Sequence, residues 1–117
     1  MKIRHLEDVS FLEVNGRLTS FESAVFREAV HRLLGQGHKN IVLNLTGLDY
    51  LDSSGIGELA RSYISVVKKS GAMRVVGLAP KVEEILKVTQ LYQVFLEFPD
   101  EASALESFSR LNGKPVS

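Results

Sequence analysis

The sequence predicts one α/β domain in which a mixed, mainly parallel sheet of five strands is covered by four helices, in the order ββαβαβαβα. Short apolar, β-branched runs such as "NIVLNL" and "MRVVGL" are typical of interior strands covered on both faces. Segments with apolar residues at helical spacing alternate with these runs, and glycines and prolines separate them. A chain of 117 residues is long enough for one such core and too short for two ordinary domains.

The first elements are two strands and a helix. "KIRHL" and "VSFLEV" have side chains at period two, and Asn15-Gly16 predicts a turn after the second strand. The helix follows in "TSFESAVFREAVHRLLGQG", with Thr19 or Ser20 as its N-cap and two glycines at its end. Its predicted inward face consists of Phe21, Val25, Ala29 and Leu33.

The helix after "NIVLNL" has the clearest amphipathic pattern in the chain. Its predicted inward stripe consists of Ile56, Leu59, Ala60, Tyr63, Ile64 and Val67. Its predicted polar face consists of Glu58, Arg61, Ser65, Lys68 and Lys69. Gly71 is expected to cap this helix, and we expect Leu48, Tyr50 and Leu51 to pack beneath the loop that precedes it.

The remaining elements follow the same alternation. "MRVVGL" predicts a buried strand, and Pro80 begins a helix whose expected inward residues are Val82, Ile85 and Leu86. "VFLEF" predicts the fifth strand, and Pro99-Asp100 opens a last helix. The expected inward residues of that helix are Ala102, Leu105 and Phe108.

Composition and charge exclude several classes of function. Fourteen basic and fourteen acidic residues cancel, so we expect no nucleic-acid partner. No apolar run approaches the roughly 20 residues that span a bilayer, and no leader pattern begins the chain, so we expect no membrane insertion and a cytoplasmic location. The chain has no cysteine, which removes disulfides and thiolate catalysis. His5, His31 and His38 are far apart and lack acidic neighbours at ligand spacing, so we expect no metal and no cofactor.

The stretch "DYLDSSGIGEL", residues 49 to 59, places serines and glycines at the start of a helix that follows a strand. Sites tend to lie in such loops, and a helix start offers unpaired N–H groups and a partial positive charge to a phosphate. Ordinary helix capping explains the same residues equally well. Nucleophilic catalysis is poorly supported because the nucleophile-elbow glycine is missing, and no lysine follows to make a P-loop. The remaining interpretation is that a separate kinase modifies a serine hydroxyl here.

With "IVLNLTGLDYLDSSGIGEL" and the later "GAMRVVGLAPKVEEILKVTQLYQVFLEF", the sequence resembles the anti-sigma-factor antagonists, which consist of a single STAS domain. The resemblance extends from Ile3 to Leu111, and we expect the domain to span residues 1–112, with a frayed tail at residues 113–117. It implies a protein without enzymatic activity that binds an anti-sigma factor, itself a serine kinase, and so frees the sigma factor. It also implies that phosphorylation ends the binding and that a serine phosphatase restores it.

The resemblance assigns roles within the serine turn. Ser53, directly after Asp52, is the implied phosphate acceptor, and Ser54, Gly55 and Gly57 complete the turn. The family commonly has an aspartate where this chain has Thr19 in "GRLTS". The expected partner-facing groups near Ser53 are Thr19, Ser20, Asp52, Gly55, Glu58 and Arg61.

Two alternatives remain open from the sequence. Within the same fold, the chain is alternatively a stand-alone STAS subunit that docks on a transporter or a signalling scaffold without phosphorylation. A small serine hydrolase is the alternative from another class, with Ser53 as its nucleophile. A homodimer formed through the first strand or an exposed helix face is compatible with the pattern.

Overall fold

The computed structural model describes residues 1–111 and has the predicted α/β architecture. The predicted domain end at residue 112 and the predicted tail at residues 113–117 lie outside the described residues. The strands are β1 (Lys2–Leu6), β2 (Val9–Glu13), β3 (Gly16–Leu18), β4 (Asn40–Asn44), β5 (Leu48–Leu51), β6 (Ala72–Val76) and β7 (Leu96–Phe98). The helices are α1 (Ser20–Gly35), α2 (Ser53–Lys68), α3 (Pro80–Val88) and α4 (Glu101–Leu111), with a short 3₁₀ turn at Leu91–Gln93.

The main sheet has five strands in the order β1-β2-β4-β6-β7. Only the β1 and β2 pair is antiparallel, and the other three pairs are parallel, so the predicted mixed sheet is confirmed. Buried residues of α1, α2 and α3 share one apolar cluster, whereas Ala104 and Phe108 of α4 belong to a second. The sheet therefore has three helices on one face and one helix on the other.

The interior strands are buried on both faces. Ile41, Val42 and Leu43 in β4 are each 0% exposed, as the unbroken apolar run predicts. In β2, Phe11 belongs to the α4 cluster and Leu12 to the other. The period-two reading of this strand is therefore incomplete, because both of its faces are covered by helices.

Two short strands form a second sheet that the sequence analysis did not predict. β3 and β5 pair in parallel, with Leu18 opposite Leu51. The segment predicted as a loop before α2 is thus a strand. Leu48 and Leu51 are buried, as expected, but Tyr50 is exposed, and the Arg17 guanidinium lies 5.1 Å from the centre of its ring. Runs of three or four residues are too short to show a period, so the pattern gave no strand signal here.

The inward face predicted for α1 is partly wrong. Thr19 is the N-cap, as expected, but Phe21 is 76% exposed and Val25 is also exposed. The buried residues of α1 are Ser23, Phe26, Ala29, Val30 and Leu33. The face is rotated because α1 packs on α2 as well as on the sheet, and the contact with α2 takes polar side chains that a hydrophobic pattern does not count.

The inward stripe predicted for α2 also shifts. Leu59 is buried, and Tyr63 packs edge-to-face on Phe95 with ring centres 5.8 Å apart, but Ile64 and Val67 are about half exposed. Glu58 is only 2% exposed although the pattern placed it on the polar face. The side of α2 that faces α1 is thus polar and buried.

Three smaller predictions about the helices can be checked. Pro80 begins α3, and Val82 and Leu86 are buried there, as predicted. The residue with left-handed backbone dihedrals after α2 is Ser70, and not Gly71, which was expected to cap the helix. A glycine is required at position 71 for a different reason, because a Cβ there would lie 2.1 Å from the Lys39 carbonyl oxygen. In α4, Ala102 is exposed, and Ala104 takes the inward position instead.

Candidate functional site

Helices α1 and α2 begin side by side at the same end of the molecule. Each follows one strand of the small sheet, and Leu18 and Leu51 are register partners. The backbone N–H of Asp52 lies 3.4 Å from the Leu18 carbonyl oxygen. This contact joins the N-cap residue of α2 to the last residue of β3, which leads into α1. The structure therefore brings Thr19 and Ser20 next to Asp52 and Ser53, as the sequence analysis expected.

Asp52 caps α2 with its side chain. One carboxylate oxygen, Oδ1, accepts hydrogen bonds from the backbone N–H of Ser54 at 3.0 Å and of Gly55 at 3.2 Å. A negative charge is favourable at this position because the helix start carries partial positive charge. These two N–H donors, which the sequence analysis offered to a phosphate, are thus already satisfied by the carboxylate.

Ser53 is the first residue of α2, and its side chain is exposed. Ser54 is half-buried and Gly55 is buried. A Cβ at Gly55 would lie 2.2 Å from the Leu18 carbonyl oxygen, so this position holds the two helix starts together. The expectation that Gly55 is an exposed group facing a partner is therefore wrong, since its role here is close backbone packing.

The start of α1 is built differently. The backbone N–H of Thr19 donates to Glu22 Oε1 at 3.1 Å, and the Thr19 hydroxyl donates to the same oxygen. These bonds, with the hydroxyl bond as the largest cause, hold the pKa of Glu22 below its ordinary value. The Thr19 side chain is thus held by its own helix, and the neighbouring Ser20 is exposed.

A buried carboxylate links α1 to α2 one turn beyond the serine. Glu58 Oε1 accepts from Arg27 Nη1 of α1 at 3.1 Å and from Arg61 Nη2 of α2 at 3.2 Å. The Glu58 side chain is 3% exposed, whereas the two arginine side chains are 48% and 61% exposed. Glu58 is therefore not the partner-facing group that the sequence predicted, and its contribution to the surface is to fix two cations there.

Arg61 lies along α2 toward its start. A Cβ at Gly57 would lie 3.3 Å from both terminal nitrogens of the Arg61 guanidinium. The guanidinium thus rests on the glycine, one helical turn from Ser53. Arg61 is exposed and remains a partner-facing candidate, and Gly57 serves it by leaving the helix surface bare.

A groove of about 260 Å³ runs between α1 and α2 from this cluster. It is lined by Arg27, Val30, His31, Glu58, Arg61, Ser62, Ile64, Ser65 and Lys68. The sequence analysis missed Arg27, which no motif marks. On α1, one turn before Arg27, the Ser23 hydroxyl is buried without a hydrogen-bond partner among the described residues.

The histidines are not all far apart. The rings of His5 and His38 stack with centres 4.4 Å apart, and His5 Nδ1 lies 2.9 Å from Ser10 Oγ. Within the part of the chain that the structure describes, no three metal-ligating side chains come together in a way that could hold an ion.

No helix among residues 1–111 combines the length and the apolar character that crossing a bilayer would require.

Comparison with known proteins shows the family to which the chain belongs. The STAS domain profile matches residues 1–104. The anti-sigma F factor antagonist of Paenibacillus polymyxa is 28% identical over 109 residues, which cover 90% of this chain and 91% of that protein. A crystal structure of an anti-sigma factor antagonist from Mycobacterium paratuberculosis gives a TM-score of 0.80 at 23% identity, covering 91% of this chain and 90% of that chain.

Two further structures share the fold. The Bacillus protein SpoIIAA in its unphosphorylated form gives a TM-score of 0.72 at 18% identity, with 96% of this chain and 97% of that chain covered. Its phosphorylated form gives 0.71. The murine anion transporter Slc26a9 gives a TM-score of 0.76 at 19% identity, with 93% of this chain but 19% of that chain covered. These likenesses show a common fold, and the profile match over most of the sequence shows that the chain belongs to the STAS domain family.

Proposed function

We propose that the protein is an anti-sigma-factor antagonist controlled by phosphorylation of Ser53. Its unphosphorylated form binds an anti-sigma factor that is also a serine kinase, and the sigma factor is thereby released. Phosphorylation of Ser53 by that kinase ends the complex, and a serine phosphatase restores the binding form. The protein is a substrate of these enzymes and has no catalytic activity of its own.

The observation that carries this proposal is the exposure of Ser53 at the first position of α2. The hydroxyl stands at a rim where two helix starts meet, so a kinase can reach it without unfolding any element. The backbone around it is fixed by the Asp52 cap and by the contact of Gly55 with Leu18. Phosphorylation would therefore change the charge of a rigid surface.

The charge change explains how binding would end. A phosphoserine carries about −1.5 to −2 charges at pH 7, and it would stand beside the carboxylate of Asp52. A partner docked on this rim would bury that charge and would have to compensate for it. Of the six groups predicted to face a partner, Gly55 and Glu58 are buried. The four that keep exposed surface are Thr19, Ser20, Asp52 and Arg61.

Similar proteins support the proposal. The Paenibacillus polymyxa protein, aligned over nearly its whole length, is an anti-sigma F factor antagonist. SpoIIAA is known in an unphosphorylated and a phosphorylated form, and both resemble this chain to nearly the same degree. A phosphorylation switch without refolding is thus compatible with the fold.

The test is a binding assay with the cognate anti-sigma factor in the presence of ATP. Ser53→Ala should stay bound, the wild type should be released as it is phosphorylated, and Ser53→Asp should bind weakly from the start. Ser20→Ala is the matched control, because it removes the equivalent hydroxyl of α1, and it should behave as the wild type does. Release of Ser53→Ala at the wild-type rate would contradict the proposal.

The second candidate is a STAS subunit that docks on a transporter or a signalling scaffold. The observation that favours it is that the fold occurs within the anion transporter Slc26a9. Affinity purification from the native cells separates the two candidates, since recovery of transporter subunits instead of a kinase-like anti-sigma factor would support the second. In that case the two Ser53 variants report whether the turn is the docking surface. If it is, Ser53→Ala and Ser53→Asp should bind the recovered partner with different affinities, and if it is not, their affinities should be equal.

A further inference from the structure

We propose that Arg61 is the internal receptor for a phosphoryl group on Ser53. In this account, which rests on the proposed function, phosphorylation draws the Arg61 guanidinium from Glu58 to the phosphoserine. The same event would then add a dianion to the surface and remove an exposed cation from it.

Arg61 lies two helical turns after Ser53 on α2. Ser53, Gly57 and Arg61 are spaced by four residues, so they follow one another on one face of the helix. Side chains of a helix lean toward its start, and the Arg61 guanidinium accordingly lies over Gly57. Residues four apart have Cβ atoms about 5 to 6 Å apart, so the guanidinium is one turn from the Ser53 side chain.

The position between Ser53 and Arg61 on this face, residue 57, is a glycine. A Cβ there would lie 3.3 Å from both terminal nitrogens of Arg61, so the guanidinium rests directly on the surface that the glycine leaves bare. The bare turn leaves a path along the helix surface between Arg61 and Ser53. A planar guanidinium presents its donors in a fork that matches two phosphoryl oxygens.

Two backbone donors at the start of α2 are already occupied. The N–H groups of Ser54 and Gly55 are bound by the Asp52 carboxylate at 3.0 and 3.2 Å. A phosphoryl group on Ser53 therefore stands beside a carboxylate that already holds these donors. The cation that the geometry offers it along the same helix face is Arg61.

Glu58 keeps a partner when Arg61 leaves. Its buried carboxylate is bound to Arg27 of α1 at 3.1 Å as well as to Arg61. Loss of all partners of a buried carboxylate would be strongly destabilising. With Arg27 in place, Arg61 can leave the Glu58 carboxylate for the phosphoryl group, and Glu58 is still paired.

The test uses the full chain with phosphoserine inserted at position 53 during synthesis, so it requires no kinase. The readout is the second pKa of the phosphoserine, followed by ³¹P NMR between pH 4 and pH 8. A paired guanidinium favours the dianion, so the wild-type pKa should lie below that of Arg61→Gln by about 0.5 unit. Asp52, which caps the same helix start, and Glu58 and Arg27, which form the cluster with Arg61, are common to both proteins, so the difference reports Arg61.

Two variants make the result decisive. Lys68→Gln removes an equally charged side chain two turns further along α2 and should leave the phosphoserine pKa within about 0.1 unit of the wild type. Arg61→Lys should recover part of the shift, because a point charge replaces the fork. Equal pKa values in the wild type and Arg61→Gln, or an equal shift in Lys68→Gln, would overturn the proposal. Since no partner takes part, such a failure would leave the binding test of the proposed function unaffected.

Discussion

The starts of α1 and α2 are two solutions to the same structural problem. Both helices follow a strand of the small sheet, both begin with an exposed serine, and both have unpaired N–H groups to satisfy. In α1, the carboxylate at the third position, Glu22, bonds back to Thr19. In α2, the carboxylate comes from the preceding Asp52, and the third position is Gly55.

The difference changes the surroundings of the two serines. Ser20 is followed at four-residue spacing by Ala24 and the acidic Glu28, and Arg27 lies next to Glu28. Ser53 is followed by Gly57 and Arg61, so its face of α2 is bare and then basic. The rows of residues at four-residue spacing that begin at the two equivalent serines thus end in opposite charges, Glu28 and Arg61. Exposure alone makes a hydroxyl accessible, whereas the residues one and two turns later decide whether a phosphate there finds a cation.

The largest effect on stability is expected at the third position of α2. Gly55→Ala places a Cβ 2.2 Å from the Leu18 carbonyl oxygen, and backbone must move to relieve the clash. We expect the free energy of unfolding to fall by about 2 to 3 kcal/mol in urea titrations. Gly57→Ala is the matched control, because its Cβ meets a flexible arginine side chain, and higher helix propensity should raise stability by up to about 1 kcal/mol. Equal losses for both variants would contradict the packing role of Gly55.

The caps should differ by a smaller amount. Asp52→Ala removes a charged acceptor of two backbone N–H bonds, and we expect it to cost about 1 to 2 kcal/mol of unfolding free energy. Thr19→Ala removes one hydroxyl donor and should cost about 1 kcal/mol or less. Thermal unfolding of both variants measures the order. A larger loss of unfolding free energy for Thr19→Ala than for Asp52→Ala would contradict the expected order of the two caps.

The smallest effect is a pH dependence that belongs to α1. The Thr19 hydroxyl, as the largest cause, lowers the pKa of Glu22 from its ordinary value of 4.5. A lowered folded-state pKa stabilises the fold above pH 4.5, and this contribution is lost as the pH falls through the folded-state value. Wild type should therefore exceed Glu22→Gln in stability at pH 7, with the gap closing below pH 4.5 in urea titrations. The same comparison in a Thr19→Ala background should show a weaker pH dependence, and an unchanged one would contradict the assignment to the hydroxyl.

The order of the main elements could be predicted because each has a period or a composition of its own. The apolar run in β4 and the capping residues of α2 depend on local chemistry, so the sequence alone marked the strand and the Asp52-Ser53 turn. The burial of Glu58 could not be predicted, since it depends on Arg27, which lies 31 positions earlier on another helix. For the same reason the stacking of His5 on His38 is invisible in the pattern, because it joins two distant segments.

Packing between α1 and α2 determines which of their polar groups reach the surface. Glu58 looks available in the sequence and is buried by that packing, whereas Arg61 is left exposed over Gly57. Gly55 also looks available, but it is buried against Leu18 of β3. A prediction from one helix at a time treats every polar residue as solvated. The contact between two helices reverses that rule for the side that they share.

The most direct test of the central claim is peptide mass spectrometry of the protein from its native cells, with and without phosphatase treatment. The account predicts a phosphate on Ser53 that phosphatase removes, and an unmodified Ser20 in the same samples. A phosphate on Ser20 or Ser54 in place of Ser53, or a protein that stays unmodified under every growth condition, would contradict it.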